Sequence, residues 1–321
     1  MSRRLELLIK FLRESVEFPH ADGDTDSVSD LEFVQYLNDG QDFLFGDLIN
    51  AHANFYLTTD TVDIVADQQS YTLPSNMFMG SKIKKVEYLY GSGSQDYRAI
   101  PVGTEFDLRT DYTSSYPALY CRGNSYLKLS PLPSSSLTDG LRITYTRKIK
   151  RLDIRRGVIA SASKTGTTLN TITLDLTPAL GKDSGTVSAA RDLLNVSDYI
   201  CVVDSDGTSV LDAIPIDSYN SSTGVITVRS SYTTTVAAAS FVDKYVVTGD
   251  YTSTHSELPD NCERYLLTFS TLKLLRRGGN ALEAVSCKEE LGAIGYNIVE
   301  TFGSPDDDVY RLRTDELWDE S

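Results

Sequence analysis

A chain of 321 residues, 40% of them hydrophobic, is long enough to bury a full core and for about two domains. A net charge of −15 and a pI near 4.6 exclude an outer surface that wraps nucleic acid, which needs clustered Lys and Arg, but not a wall that DNA passes without sticking. Cys121, Cys201, Cys262 and Cys287 show no CxxC spacing, so reduced, buried thiols are expected rather than a disulfide framework or a zinc site.

The N-terminal stretch MSRRLELLIKFLRESVEF begins basic, but Glu6, Lys10 and Arg13 interrupt its apolar run, so it does not read as a signal peptide. No stretch approaches the ~20 apolar residues of a membrane span, and synthesis in the cytoplasm is expected. Leu5, Leu8 and Leu12 recur at helical spacing, which predicts a helix from about Arg3 to Val16. After an acidic loop, Ser29 and Glu32 form a capping-box signal. The second helix behind it carries Leu31, Val34, Leu37, Leu44, Leu48 and Ile49 near one stripe. Gly40 weakens that helix by ~1 kcal/mol relative to Ala, so a slight break is expected there.

From Phe55 the hydrophobic period changes to two. TVDIVADQQSYTLP reads as a hairpin, IKKVEYLYGSGSQDYRAIP as strands around a Gly-Ser turn, and YPALYCRGNSYLKLSPLP as two strands about Gly123 and Asn124. LRITYTRKIKRLDI closes this β region. Residues 155–250 are richer in Thr, Ser and Gly, with short, closely spaced strands that suggest a small antiparallel sandwich or barrel. At SELPDNCERYLLTFSTLKLLRRGG the pattern becomes helical again, with Asp260 as the expected cap and Gly278-Gly279 as the stop. A last helix runs from about Ala281 to Phe302, with Cys287, Leu291, Ile294, Ile298 and Phe302 at helical spacing. Gly292 and Gly295 on it would let another backbone come close.

The expected fold class is α+β: a four-helix bundle made by the N- and C-terminal helices, carrying a β region and an inserted antiparallel β-sandwich or barrel. The expected segments are 1–57, 58–154, 155–250 and 251–303, followed by an acidic tail, 304–321.

Motifs for chemistry are weak. DSDG at 204–207 with Asp212 lacks the ligand spacing of a calcium loop and reads as a hairpin turn. His20, His52 and His255 lie far apart without partner motifs for zinc or a triad. Glu257 and Asp260 bracket a helix entrance, where capping explains Asp260 without the paired-acid chemistry of glycoside cleavage. Neither a metal nor a cofactor is expected. The one basic cluster, TRKIKRLDIRR, holds Arg147, Lys148, Lys150 and Arg151; it reads as a charged strand edge or as a contact to an acidic neighbouring copy.

The order of LEFVQYLNDGQDFLF, DQQSYTLP, IKKVEYLY, YPALYCRGNSYLKLSPLP, ITYTRKIKRLD and SELPDNCERYLLTFSTLKLLRRGG resembles the head-to-tail adaptors of tailed phages, tail tubular protein A among them. The likeness covers most of residues 1–150 and 250–303. It implies a structural virion protein at the head–tail interface: a homo-oligomeric ring, in that family usually of twelve copies, between the portal protein and the tail nozzle or tail tube protein. Double-stranded DNA would pass through its lumen without sequence-specific binding, and no membrane is involved. It also implies that the C-terminal segment clasps the portal, with Val309, Tyr310, Arg311, Leu312, Arg313, Leu317 and Trp318 as the contacting residues; alone, this segment is too acidic to pack. Competing readings are a virion-associated peptidoglycan hydrolase, or a carbohydrate-binding tail component if Tyr199, Tyr219, Tyr232 and Tyr245 line a groove.

Overall fold

A computed structural model describes residues 5–15, 29–52, 54–78, 83–90, 96–123, 125–175, 194 and 197–302. The chain divides into two units, one of residues 52–148 and one that joins residues 1–51 to 149–321. The fold is α+β.

The unit 52–148 contains β1 (Leu57–Ile64), β2 (Ser70–Thr72), β3 (Ile83–Leu89), β4 (Tyr97–Ala99), β5 (Thr113–Ser114), β6 (Leu119–Arg122), β7 (Tyr126–Ser130), β8 (Leu132–Pro133) and β9 (Leu137–Thr146). They form a four-stranded sheet in the order β1-β9-β3-β4, a three-stranded sheet β2-β7-β6 and a short parallel pair β5-β8. Along β9, Leu141, Ile143 and Tyr145 are buried while Arg142 and Thr144 are half-buried, the alternation of a strand with one face on a core. Tyr71, Met77, Val86, Leu127 and Leu129 complete that core.

The expected hairpin between β1 and β2 is absent. β1 pairs with β9, from Leu57 opposite Thr146 to Ile64 opposite Leu137, and β2 pairs with β7. The reason lies in the intervening turn, whose amides bond outward: Asp67 N–H to the Pro133 carbonyl at 2.9 Å and Ala66 N–H to Ser136 Oγ at 3.0 Å. The β6–β7 hairpin forms as expected, and the Tyr126 ring occupies the space beside Gly123, 2.4 Å from where a Cβ would lie. Among the described residues of this unit, Glu87 is the buried carboxylate. The hydrogen bond from Arg142 Nε at 2.8 Å, with Lys85 second among the favourable partners, outweighs burial and holds its carboxyl below the usual glutamate range.

The other unit begins with α1 (Leu5–Ser15) and α2 (Asp30–Ala51). Leu5, Leu8 and Leu12 are fully buried, and each contributes about 1.5–3 kcal/mol of burial to an 11-residue helix too short to stand alone. Half of the capping box forms: Ser29 Oγ accepts from Glu32 N–H at 3.3 Å, but the Glu32 carboxylate is taken by Tyr36 and Arg277. α2 runs unbroken through Gly40, whose missing side chain leaves room for the Phe269 ring; an added Cβ would sit 3.0 Å from it.

After β10 (Arg151–Leu152) come β11 (Gly157–Thr165), β12 (Thr168–Leu174), β13 (Tyr199–Val203), β14 (Ser209–Asn220), β15 (Val225–Val228) and β16 (Tyr245–Thr248). β11 to β16 close into an antiparallel barrel, β11-β12-β15-β14-β13-β16, which decides between the two expected architectures. Ile159, Leu169, Ile172, Ile200, Ile214, Ile226 and Phe241 fill it. Closure removes every free sheet edge, which suits short strands rich in Thr and Ser.

β17 (Thr252–Ser253) leads to α3 (Glu263–Arg277) and α4 (Ala281–Thr301). α3 packs against α1, α2 and α4, and α2 also touches α1 and α4. The apolar character of α3 on most sides thus has a cause: Tyr265, Leu266, Leu272 and Leu274 are buried among three neighbours. Asp260 is not the cap of α3; it starts a separate 3-10 turn, and Cys262 occupies the cap position without a side-chain bond. Gly279, at φ +74°, makes the left-handed step that ends the helix, and Asn280 caps α4 by accepting from Glu283 N–H. No helix among the described residues is long and apolar enough to cross a membrane.

Candidate functional site

Within the larger unit, α2 meets the chain entering and leaving the barrel through a buried polar joint. Asn38 presents its carboxamide to Leu152 as a neighbouring strand would, donating to the carbonyl at 2.9 Å and accepting from the N–H at 2.7 Å. Gln41 Nε2 donates to the Lys150 carbonyl at 2.7 Å, and its Oε1 accepts from Ser256 at 2.8 Å. On the other side β10 pairs in parallel with β17. Leu5 N–H bonds to the Thr254 carbonyl at 3.0 Å, and Arg155 donates to Glu6 at 2.6 Å. The first helix, the second helix and the strand before α3 are therefore tied at one place, largely by buried polar groups bonded to one another.

Charged groups brace the joint. Lys150 is buried; its Nζ donates to both Asp212 carboxylate oxygens at 2.8 and 3.0 Å, and its N–H donates to Glu257 at 2.9 Å. Arg156 and Asp153 form a buried pair, and Asp153 also accepts from Thr248 N–H and Oγ1, both at 2.8 Å. Such a pair is costly to break, because the survivor is a buried unpaired charge. A groove of about 410 Å³ opens beside these residues, lined among others by Asn38, Arg151, Asp153, Asp250 and Tyr251.

The basic cluster divides. Arg147 is half-buried, with its guanidinium 4.9 Å from the Tyr56 ring, and exposed Lys148 donates to the Ser75 carbonyl at 3.1 Å, both in the smaller unit. Lys150 is held inside its own chain as described, and Arg151 is exposed on β10. Residues 148–150 are not in a strand, so the cluster does not form the expected charged strand edge. Val309, Tyr310, Arg311, Leu312, Arg313, Leu317 and Trp318 lie outside the described residues, as does His20.

The catalytic and metal readings find other uses for their residues. Asp204 pairs with Lys244, Asp206 accepts from Thr208 N–H, and Gly207 at φ +83° completes a turn. Among the described residues no group of three or more His, Cys, Asp or Glu is placed to hold a metal ion. Glu257 serves the joint. Tyr219 is buried, Tyr232 packs on the barrel core, Tyr245 lies under Arg155 and Tyr199 is exposed, and none of the four lines the groove. All four cysteines are free; burial pushes the Cys201 thiol up to about 11 and that of Cys262 to about 12.

Asn38 and Gln41 are the residues that reading the sequence missed. A usable signal exists: both are polar and uncharged, three residues apart, and fall on the stripe that holds Val34, Leu37 and Leu44. Polar groups on a buried face must find partners.

Two helix faces of this unit point away from its core. α4 buries Ala284 and Ile298, yet Leu282, Val285 and Tyr296 on its far side are 87%, 58% and 65% exposed. On α1, Leu7 and Phe11 are exposed beside Lys10. In the smaller unit, Phe106 is wholly exposed on a 3-10 turn (Glu105–Asp107) that is locked by Asp107 accepting from Thr104 N–H and Oγ1.

A protein-family model described as "SU10 adaptor protein" matches residues 5–180, more than half of the chain. That span covers α1, α2, the whole smaller unit and the first strands of the barrel. No curated protein matches the chain.

Proposed function

The chain belongs to the SU10 adaptor protein family, and from that premise we propose that it is a head-to-tail adaptor of a tailed phage, similar to tail tubular protein A. Membership makes it a structural phage adaptor; its place in the virion is our reading. In that reading it stands as a ring, of twelve copies by likeness to that family, between the portal protein and the tail nozzle or tail tube.

One observation carries this reading: the helices of both chain ends pack in one unit and are tied at one joint, through Asn38, Gln41 and Ser256. In a subunit under load from its neighbours, such a joint keeps the two ends from separating. We take α1 to α4 as a four-helix bundle that makes the ring wall, with 58–154 and 155–250 as β segments for neighbouring virion proteins. Residues 304–321 are the portal-docking segment, with Val309, Tyr310, Leu312, Leu317 and Trp318 as anchors between acidic residues.

The net charge of −15 suits a channel for DNA, which carries one charge per ~1.7 Å of axis. Carboxylates on the lumen wall keep DNA hydrated and mobile where a cationic wall would hold it, and only charges within ~8 Å matter at physiological salt. Removing Ser304–Ser321 tests the docking role. The shortened chain should keep its circular-dichroism spectrum and thermal transition but bind portal rings at least about tenfold more weakly, a loss of ~1.4 kcal/mol. Equal binding by both forms rules out docking through this segment.

A further inference from the structure

We infer that copies in the ring join edge to edge through the smaller unit, strand β1 of one copy pairing antiparallel with strand β4 of the next. The inference rests on the ring reading and names the strands that would build it.

The sheet β1-β9-β3-β4 is open, with β1 and β4 as its two edges. The Tyr56 carbonyl accepts from Arg147 N–H at 3.0 Å. By the two-residue period of an antiparallel ladder, Thr58 and Asp60 then bond to β9, while Leu57, Thr59 and Thr61 turn their N–H and C=O groups outward. On the far edge, Tyr90 N–H donates to the Asp96 carbonyl at 2.8 Å and Ile100 N–H to the Val86 carbonyl at 2.9 Å. Arg98 therefore bonds to β3, and Tyr97 and Ala99 turn their groups outward. Among the described residues, no backbone group meets either outward row. Edges are commonly blunted by short strands, by Lys or Pro, or by a bulge. β1 has eight residues, LTTDTVDI, without Lys, Arg or Pro, and its ladder is regular from Leu57 to Val62. Its two carboxylates are engaged within the copy, Asp60 with the Tyr145 hydroxyl and Asp63 with Asp139 N–H at 2.8 Å. Such an edge is fitted to take one more strand.

Strand direction and charge select the occupant. Every neighbouring pair in this sheet is antiparallel, so across its four strands β4 runs opposite to β1. Copies set side by side in one orientation thus bring β4 of one beside β1 of the next as an antiparallel pair. That direction places the start of β1 beside the end of β4. Exposed apolar side chains stand at both of those ends, Leu57 on β1 and Val102 just past β4, and the contact covers them together. Pairing of β1 with β1 of a second copy would instead set Asp60 and Asp63 of one strand against the same carboxylates of the other, with Asp139 beside them on Thr61. Like charges on facing strands repel. A contact between two different edges is heterologous and propagates, closing into a ring where the rotation allows.

The test uses the whole chain in assembled particles. A copy with Thr59→Cys and Ala99→Cys, treated with a short bismaleimide, should give a ladder of covalent multimers. Either single substitution should give no more cross-linking than the unsubstituted chain with Cys287. Dimers from Thr59→Cys alone would mean a symmetric β1 contact and overturn the pairing. Monomers only, from particles that contain the double variant in a ring, would overturn it too while leaving the ring standing; particles whose adaptor is not a ring would instead refute the function proposed above. Proline decides the case where the cysteine variant is not incorporated. Thr59→Pro and Ala99→Pro each remove an outward N–H that the copy's own ladder does not use, a place where an edge strand accepts proline. Each variant should keep a cooperative thermal transition and lower incorporation at least about tenfold. Where one of them does not fold, the other decides, since each blocks the same contact from its own side. A folded proline variant that incorporates normally would sink the pairing.

Discussion

Asn38 shows how much one side chain does here. It completes a two-stranded pair as a third strand would, and satisfies both backbone groups of Leu152 from a helix. Asn38→Ala removes the partner of that N–H and carbonyl, and should cost roughly 2–4 kcal/mol in the unfolding free energy measured by denaturant titration of the purified chain. Loss of less than ~0.5 kcal/mol, the usual range for a surface change, would mean that the joint is not as dry as its burial indicates. Lys150 teaches the complementary lesson. Sequence shows it as one of a run of cations, and nothing in the run says that Asp212, 62 residues on, takes its ammonium. A charge's role depends on the partner the fold brings, and partners that distant leave no mark in a local pattern.

At the scale of elements, two glycines inside helices separate packing from propensity. Each lowers helix stability by up to ~1 kcal/mol relative to Ala. Gly292→Ala meets open space, so in the dilute chain it should raise the melting temperature; Gly40→Ala pushes its methyl into the Phe269 ring and should gain less or lose. Calorimetry of both variants decides, and a gain for Gly40→Ala equal to that for Gly292→Ala would contradict the tight contact of α2 with α3. The four helices were legible because a buried stripe recurs every 3.6 residues and leaves its imprint on any single helix. Strand pairing was less so. The run from β1 to β2 alternates like a hairpin, but its turn donates to Pro133 and Ser136, and a bond across 66 residues or more overrode the local signal. The helix start near Pro259 was misassigned to Asp260 because a 3-10 turn intervenes, and its spacing imitates a cap.

For the whole molecule, the sequence order hides the grouping. The barrel follows the smaller β unit directly, yet it belongs with the terminal helices, because the crossing residues Lys150 to Arg156 are bonded to α2, to α1 and to β17. The α+β class and a small antiparallel β element, sandwich or barrel, could be read from periodicity; its closure, and which segments share a unit, could not, the latter depending on Asn38, Gln41 and the buried Asp153–Arg156 pair. Membership in an adaptor family and an α4 that leaves Leu282, Val285 and Tyr296 exposed lead to the same view of a subunit made for neighbours. The most direct measurement is cryo-electron microscopy of the chain assembled on portal rings or in particles. A closed ring whose contacts between copies cover the exposed face of α4 is the predicted result. Isolated copies, or a ring whose contacts leave Leu282, Val285 and Tyr296 in solvent, would contradict it.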